Sequence, residues 1–538
     1  MIISNISYDD KDIELCGSNY NNEENVYTLL VGRNGCGKST LLKKICLLNL
    51  TSALSNSTNS LNTGHLSRYL DRNTNNNFDN TGSMTYQSHN SEHTITIQQP
   101  YFDITLYNLG DMPSLQRQAA ERSLREHHLM QGNEIRHTTN FTEASAPYMN
   151  SKLIAVSSSP FDKFPIFDNF FAHNETENPL KYYIYRGART NDRNSGKNYL
   201  TSKFDQLGGS FINLFLTHES KKDEILPLFT YLGLTSKLKL ILKTNFHFSF
   251  EDFLGENGRG PTEAIRSARF FKGGSTQRNE EPSIEAREKI VQSVRTIHDN
   301  FNKDQEEHFG PRESTYELNL NITSDVKIEF LQEFATLAEY DLIDLENIEF
   351  TKAKNNSSFL LTDASSGELC ILFNILSIAG AIADDSVILL DEPELSLHPE
   401  WQRDFLPLVE RIFSNYKRCH FIIATHSPQI VSSMSTSNSY VVNLEDNPAK
   451  VIEGKQTNAQ SSDYQLAYVF NAPGHKNEYL ITQIVETLSQ IRDGRKPDKA
   501  FLSEIETLTK FYNLVPINDP VKKLLSTLKK ALRVIAND

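Results

Sequence analysis

Short apolar runs recur along the chain at Tyr27-Thr28-Leu29-Leu30-Val31, Leu153-Ile154-Ala155-Val156, Val387-Ile388-Leu389-Leu390 and Phe421-Ile422-Ile423-Ala424. Runs of this length, bounded by polar residues such as Asp384-Asp385-Ser386, read as strands buried on both faces, the habit of a parallel sheet. Thr94–Ile97 and Lys181–Tyr185 add strand-like pieces, so the sheet resumes before residue 200. From 51 to 93 the chain is instead dominated by Asn, Ser and Thr, with too few apolar positions for a core, and reads as a flexible insertion. From 200 to 348 the spacing turns helical, clearest over Ile284–Phe301 and Val326–Leu342. Helical spacing returns after Ser461, at Glu478–Ile491, Ala500–Tyr512 and Pro520–Ile535. The expected fold is α/β. Its sheet-bearing segments are 1–50, 94–199 and 349–455, interrupted by the 51–93 and 200–348 insertions and followed by a helical C-terminal domain at 456–538.

Composition narrows the setting. With 538 residues and 38% hydrophobic content the chain has material for about two or three cored units. It contains no apolar run of about 18 residues and no basic, apolar leader, so the expectation is a cytoplasmic protein without a membrane partner. The five cysteines, Cys16, Cys36, Cys46, Cys370 and Cys419, form no CxxC pair and suit reduced thiols rather than a disulfide frame or zinc site. A net charge of −14 confines any nucleic-acid contact to local basic patches. Two such patches exist: Arg186 and Arg189 with Arg193 and Lys197, and Arg259, Arg266, Arg269, Lys272 and Arg278 around Phe270-Phe271. They suit either phosphate tracking with base stacking or pairing with the chain's own acids.

The candidate chemistry sits at the ends of the apolar runs. Gly32-Arg33-Asn34-Gly35-Cys36-Gly37-Lys38-Ser39 fits G-x-x-x-x-G-K-[ST], after a strand and before the helix-forming run Thr40–Ile45. Glycines at that point free consecutive main-chain N–H groups to curl around nucleotide phosphates, with the helix N-terminus adding its dipole. Lys38 is then expected to reach the terminal phosphates, and the Ser39 hydroxyl to ligate magnesium. A second strand ends in Asp391-Glu392. Asp391 suits the magnesium, and Glu392, one residue on, suits a general base for the attacking water. His426 follows the strand 420–424 and falls where the terminal phosphate would lie. Ser365-Ser366-Gly367-Glu368 opens an apolar helix, which fits either a phosphate grip or an ordinary N-cap.

This order of pieces resembles the ABC-type ATPase heads: P-loop, signature helix, Walker B, D-loop (Leu395-Ser396-Leu397-His398-Pro399) and switch histidine. Ser365-Ser366-Gly367-Glu368 departs from the usual signature at its first glycine. The glutamine of the family has no clear counterpart; Gln98 and Gln99 are candidates, and a surface strand explains them equally. The resemblance implies an ABC-type P-loop head with an inserted helical subdomain and a helical C-terminal tail. It also implies ATP and Mg2+ as cofactors, and at least a homodimer in which Ser365 and Gly367 of one copy close over the triphosphate held by Lys38 of another.

A closer resemblance is to the PtuA-type ATPases of bacterial anti-phage systems, the Septu group and its retron-linked relatives. It is carried by Ser157-Ser158-Ser159-Pro160-Phe161-Asp162-Lys163-Phe164 and by the tail pieces Ser462-Asp463-Tyr464 and Ala467–Gly474. That family implies an oligomeric ATPase holding an HNH nuclease, PtuB, and in the retron branch a reverse transcriptase with its msDNA and ncRNA. No nuclease constellation is visible in this sequence, so cutting would belong to the partner. Two other readings remain: an SMC-like DNA repair or chromosome-maintenance ATPase, and the nucleotide-binding subunit of a transporter.

Overall fold

The computed structural model describes residues 1–55, 82–88, 91–97, 135–139, 151–166, 182–187, 207, 210, 214, 224–244, 284–301, 315–323, 331–339, 342–446, 448–495 and 498–535. Its strands in chain order are β1 Ile2–Tyr8, β2 Lys11–Glu14, β3 Val26–Val31, β4 Gly82–Ser88, β5 Ser91–Ile97, β6 Ile135–Thr139, β7 Leu153–Ser157 and β8 Tyr183–Arg186. They continue with β9 Leu234–Thr244, β10 Thr315–Asn321, β11 Ile343–Lys352, β12 Ser358–Leu360, β13 Val387–Asp391, β14 His420–Ala424, β15 Ser439–Asn443 and β16 Lys450–Glu453.

A seven-stranded sheet ordered β16-β15-β3-β14-β13-β7-β8 forms the centre. Every pairing from β15 to β8 is parallel; only β16 runs against its neighbour. The uniformly apolar runs lie in its middle, where both faces are covered, and successive residues feed opposite cores. Leu29, Val31, Ile388, Leu390, Phe421 and Ile423 pack on one side, against the helices Ser366–Ala379 and Pro399–Ile412. Leu30, Leu389, Ile422 and Ala424 pack on the other, against Leu41, Leu42 and Ile45 of the helix Lys38–Ser55.

A second sheet, β2-β1-β4-β5-β6, covers that second side. His420 staples the two sheets: its Nδ1 accepts the Ile3 N–H at 3.1 Å and its Nε2 lies 2.9 Å from the Thr28 hydroxyl. Because Ile3 N only donates, the ring must be neutral with its proton on Nε2, and burial accordingly pushes its pKa down to about 3.

The structure revises three expectations. The polar run 51–93 is not featureless: the helix Lys38–Ser55 runs into its start and β4 and the first residues of β5 fall at its end, with Met84 and Tyr86 buried, while 56–81 and 89–90 lie outside the described residues. The 200–348 segment carries the expected helix Ile284–Phe301 and a shorter one at Leu331–Glu339, yet also most of an antiparallel sheet, β10-β9-β11-β12. Leu238, Leu240 and Leu242 of β9 alternate with less buried neighbours, a period of two that the flanking helical spacing obscured. Phe334 of the shorter helix meets Tyr316 of β10 edge-on at 5.5 Å, joining helix to sheet. Arg186 belongs to no open patch: it lies partly buried in β8 and donates to the Ser210 hydroxyl and the Tyr185 carbonyl. Arg189, Arg193, Lys197, the whole cluster from Arg259 to Arg278, and Gln98 and Gln99 lie outside the described residues.

The tail is a helical unit with its own core. Leu480 and Ile484 of Glu478–Arg492, Phe501 and Ile505 of Lys499–Lys510, and Leu525 and Leu528 of Pro520–Ile535 meet in it. The turn Gln465–Val469 feeds two cores, Ala467 into the tail and Val469 into the head.

Candidate functional site

Register places the functional segments along one edge. Ala424 pairs with Asp391 on one side and Leu30 on the other, and Asp391 pairs with Ser157. Parallel strands in register end together, so the P-loop, Thr425-His426, Asp391-Glu392 and the loop from Ser157 leave the sheet at the same rim. That rim is where ligands bind in open parallel sheets.

In the P-loop Gly32, Gly35 and Gly37 have φ of 138°, 86° and 108°, values that a side chain rarely tolerates. Cys36 fills the concavity beneath Gly32, where a Cβ would meet its Sγ at 2.7 Å. Lys38 opens the helix and is buried, its Nζ donating to the Gly32 and Arg33 carbonyls at 2.9 and 3.4 Å. Burial lowers its pKa, opposed by the negative groups facing it, Glu392 and Asp391 among them. Asn34 and Gly35 are exposed at the tip, and Thr40 accepts from Lys163 Nζ at 3.0 Å.

Ser39 and Asp391, which lie far apart in sequence, meet here: the hydroxyl donates to Oδ1 at 3.0 Å. Asp391 is 2% exposed, and burial pushes its pKa up to about 7 against the Ser39 hydrogen bond, with Glu392 and Asp162 adding repulsion. A buried carboxylate and a hydroxyl are hard oxygen donors, the kind magnesium takes one or two of from protein while phosphates and water complete its shell. Among the described residues no cluster of three or more His, Cys, Asp or Glu would hold a metal alone.

Glu392 adopts φ 52°, an uncommon left-handed conformation for a residue with a side chain, and its N–H donates to the Ala424 carbonyl at 2.9 Å. The turn aims its carboxylate at His426, with Oε1 3.9 Å from Nε2. Burial and the nearby Lys38 ammonium lower the His426 pKa, favouring the neutral ring.

A model of the AAA ATPase domain matches residues 7–431, well over half of the chain and every segment of this rim. The chain belongs to the AAA ATPase domain family. Among curated proteins this family member is similar to "Retron Ec83 probable ATPase" of Escherichia coli, at 27% identity over 187 residues, 32% of this chain and 33% of that protein. It is 26% identical to "Retron Vc95 probable ATPase" of Vibrio cholerae serotype O1 biovar El Tor over 20% of this chain and 22% of that one. With protein ea59 of Escherichia phage lambda it shares 27% identity over 22% and 23% of the two chains. The matches thus span a third or less of these relatives. Among solved structures it is similar to the Smc head domain with an extended coiled coil bound to the C-terminal domain of ScpA from Pyrococcus furiosus. That match has 11% identity and a TM-score of 0.27, covering 84% of this chain and 96% of that one.

Other segments of this AAA ATPase domain sort differently. Ser365 caps its helix in a complete capping box: Glu368 N–H donates to its hydroxyl at 3.2 Å, and Ser365 N–H to the Glu368 carboxylate at 2.8 Å. Ser366 is exposed, and Gly367 is pressed on Trp401, where a Cβ would come within 3.1 Å of the indole. Among the described residues no hydrogen bond or ion pair joins 365–368 to the P-loop, so the structure does not bring this segment onto Lys38 of the same chain. No helix among the described residues is long and apolar enough to cross a membrane.

Sequence reasoning passed over several residues. Glu445 accepts the Arg33 N–H, and the Arg33 guanidinium donates to the Asn471 carbonyl at 3.1 Å, fastening the P-loop to the start of the tail. Asp162 takes the Tyr185 hydroxyl at 2.8 Å and the Phe164 N–H at 3.1 Å, stiffening a loop whose Phe161 is 87% exposed. No motif marked Glu445, because its partner is only adjacent through the β3-β15 pairing.

Proposed function

We propose that the chain is an ATPase subunit of a retron-type anti-phage defence complex. The hydrolytic part rests on one observation: Lys38 and Ser39, Asp391 and Glu392, and His426 converge from three strands onto one rim, with Ser39 and Asp391 in contact. In this reading the Gly32–Thr40 loop cradles the triphosphate and Lys38 leaves its carbonyl partners for the terminal phosphates. Ser39 and Asp391 would hold Mg2+, which would supply charge neutralisation at the phosphates. Glu392 takes the proton of the attacking water, and neutral His426 hydrogen-bonds the terminal phosphate beside it.

The defence setting draws on the retron ATPase relatives, and the assembly on the motif order. Two copies would share each site, with exposed Ser365 and Ser366, buried Gly367 and half-buried Glu368 of one facing the nucleotide of the other. The effector would be a partner HNH nuclease, docked on the helical domain after residue 456, with a reverse transcriptase and its msDNA and ncRNA held by the 200–348 insertion. The head would comprise 1–50, 94–199 and 349–455. Location in the cytoplasm follows from such partners.

The shared site can be tested by mixing. Lys38→Ala and Ser365→Arg proteins are each expected to hydrolyse no ATP alone, while their mixture regains one intact site per dimer. Mixed dimers, confirmed by native mass spectrometry, that stay inactive would sink sharing in trans. Phosphate release no faster than background from the unmodified protein, whatever the mixture, would sink the ATPase reading itself.

A further inference from the structure

Glu394 holds no place in the roles above, yet its setting is costly. The residue is 9% exposed; Oε1 accepts the main-chain N–H of His426 at 2.5 Å, and Oε2 is buried without a hydrogen-bond partner. A carboxylate buried with one oxygen unpaired is a poor stabiliser, because desolvation exceeds what one hydrogen bond returns. Burial indeed pushes its pKa up to about 7, against the His426 N–H and the lesser pulls of its own main-chain N–H and the Thr425 hydroxyl, with nearby Glu392 adding to the rise. Such a group persists where its geometry is used.

The geometry forms a closed circuit around the candidate base. Glu392 N–H is held by the Ala424 carbonyl at 2.9 Å, and two residues further along each strand the grip is returned, the 394 side chain holding the 426 main chain. The turn is tight: Leu395 N–H donates to the Glu392 carbonyl at 3.2 Å and Leu397 N–H to the Glu394 carbonyl at 2.9 Å. With both main chains fixed, Glu392 Oε1 and His426 Nε2 face each other at 3.9 Å. The neighbouring tie is separate: Ser427 Oγ donates to Gln402 Oε1 at 2.7 Å, and Gln402 Nε2 to the Leu397 carbonyl at 2.9 Å. It holds 427, whereas among the described residues only Glu394 holds the His426 amide through a side chain.

We infer that Glu394 is a positioning residue, which fixes the main chain of His426 so that its imidazole faces Glu392 and the terminal phosphate. Its effect passes through His426, so it touches neither nucleotide nor water. This rests on the hydrolytic reading above, and the test separates the two.

The test compares E394A, E394Q, H426A and the E394A/H426A double variant in the full chain. Misplacing one catalytic partner by about 1 Å costs about 10²-fold. E394A should therefore lose turnover by about that factor, with KM for ATP nearly unchanged, the mark of an interaction used in the transition state. E394Q keeps an acceptor oxygen for the His426 N–H and should retain most turnover. In the H426A background, E394A should cost nothing further, since coupled residues are not additive. Hydrogen–deuterium exchange without nucleotide gives an activity-free arm: the amide of His426 should exchange at least about 10-fold faster in E394A, as expected of an opened amide. E394Q as slow as E394A would mean that the charge, not the acceptor, matters, and would overturn the inference. So would multiplicative losses in the double variant, or unchanged exchange at His426. Absent turnover in the wild type would instead sink the hydrolytic reading, while the exchange result would still decide whether Glu394 positions His426.

Discussion

Two buried aspartates, one in the head and one in the tail, meet opposite fates. Asp519 is fully buried, which raises its pKa, but the main-chain N–H groups of Lys476 and Val521, at 2.8 Å each, and the His475 ring outweigh that and leave it lowered. Asp391 is nearly as buried and receives only the Ser39 hydroxyl, so burial wins and its pKa rises. The tail carboxylate is a finished structural joint that ties two helix starts together. The head carboxylate is an unbalanced charge kept at a rim that nucleotide chemistry would complete. Of these two buried carboxylates, the one whose burial is not offset thus lies where the proposed function lies.

The largest expected effect breaks the head alone. Glu392→Gln keeps shape and removes the base, so ATP turnover should fall by about 10²- to 10⁴-fold while a fluorescent ATP analogue still binds. Normal phosphate release by the variant would remove Glu392 from the mechanism.

The next breaks the tail alone. Phe501 is fully buried in the tail core, and Phe501→Ala should destabilise that unit by about 3–5 kcal/mol. Proteolysis should then cut within 478–535, while nucleotide binding by the head survives. Loss of nucleotide binding at the same time would mean that the Arg33 link to Asn471 makes the two regions one cooperative body.

The smallest effect sharpens the contrast by sign. Asp391, with its folded value raised to about 7 from the ordinary 3.8, loses its contribution to stability as pH rises through about 7 and retains it below 3.8. Asp391→Asn, without divalent ions, should therefore melt higher than the wild type at pH 8 and equally at pH 4. Asp519 is lowered, so its contribution is full above 3.8 and disappears only as pH falls through the lower value. Asp519→Asn should melt lower at pH 8, the difference closing in acid. For each, the slope is limited to about 1.4 kcal/mol per pH unit. Equal signs in the two variants would undo the comparison.

Several features were legible from the chain alone. The P-loop is a contiguous motif whose glycine φ values follow from its own composition, and the tail helices appear with nearly the expected bounds because their apolar spacing is local. The sheet in the insertion was not legible as easily, since β9 pairs with β10 across a long intervening stretch and its alternation is short. Nor was the capping box at Ser365 distinguishable from a phosphate grip, because both uses want the same residues.

Sequence by itself determined which segments would be strands buried on both faces, which residues end them, and that glycines, a lysine and a serine in one loop suit phosphates. Only tertiary structure decided the order β3-β14-β13-β7, and with it that Ser39 would touch Asp391, that His426 would face Glu392, and that Glu394 would hold the His426 main chain. The reason is physical: hydrophobic periodicity reports which face of an element is buried, but not its neighbours. Hydrogen bonds between strands from opposite ends of the chain, directional and absent from any local pattern, choose those neighbours.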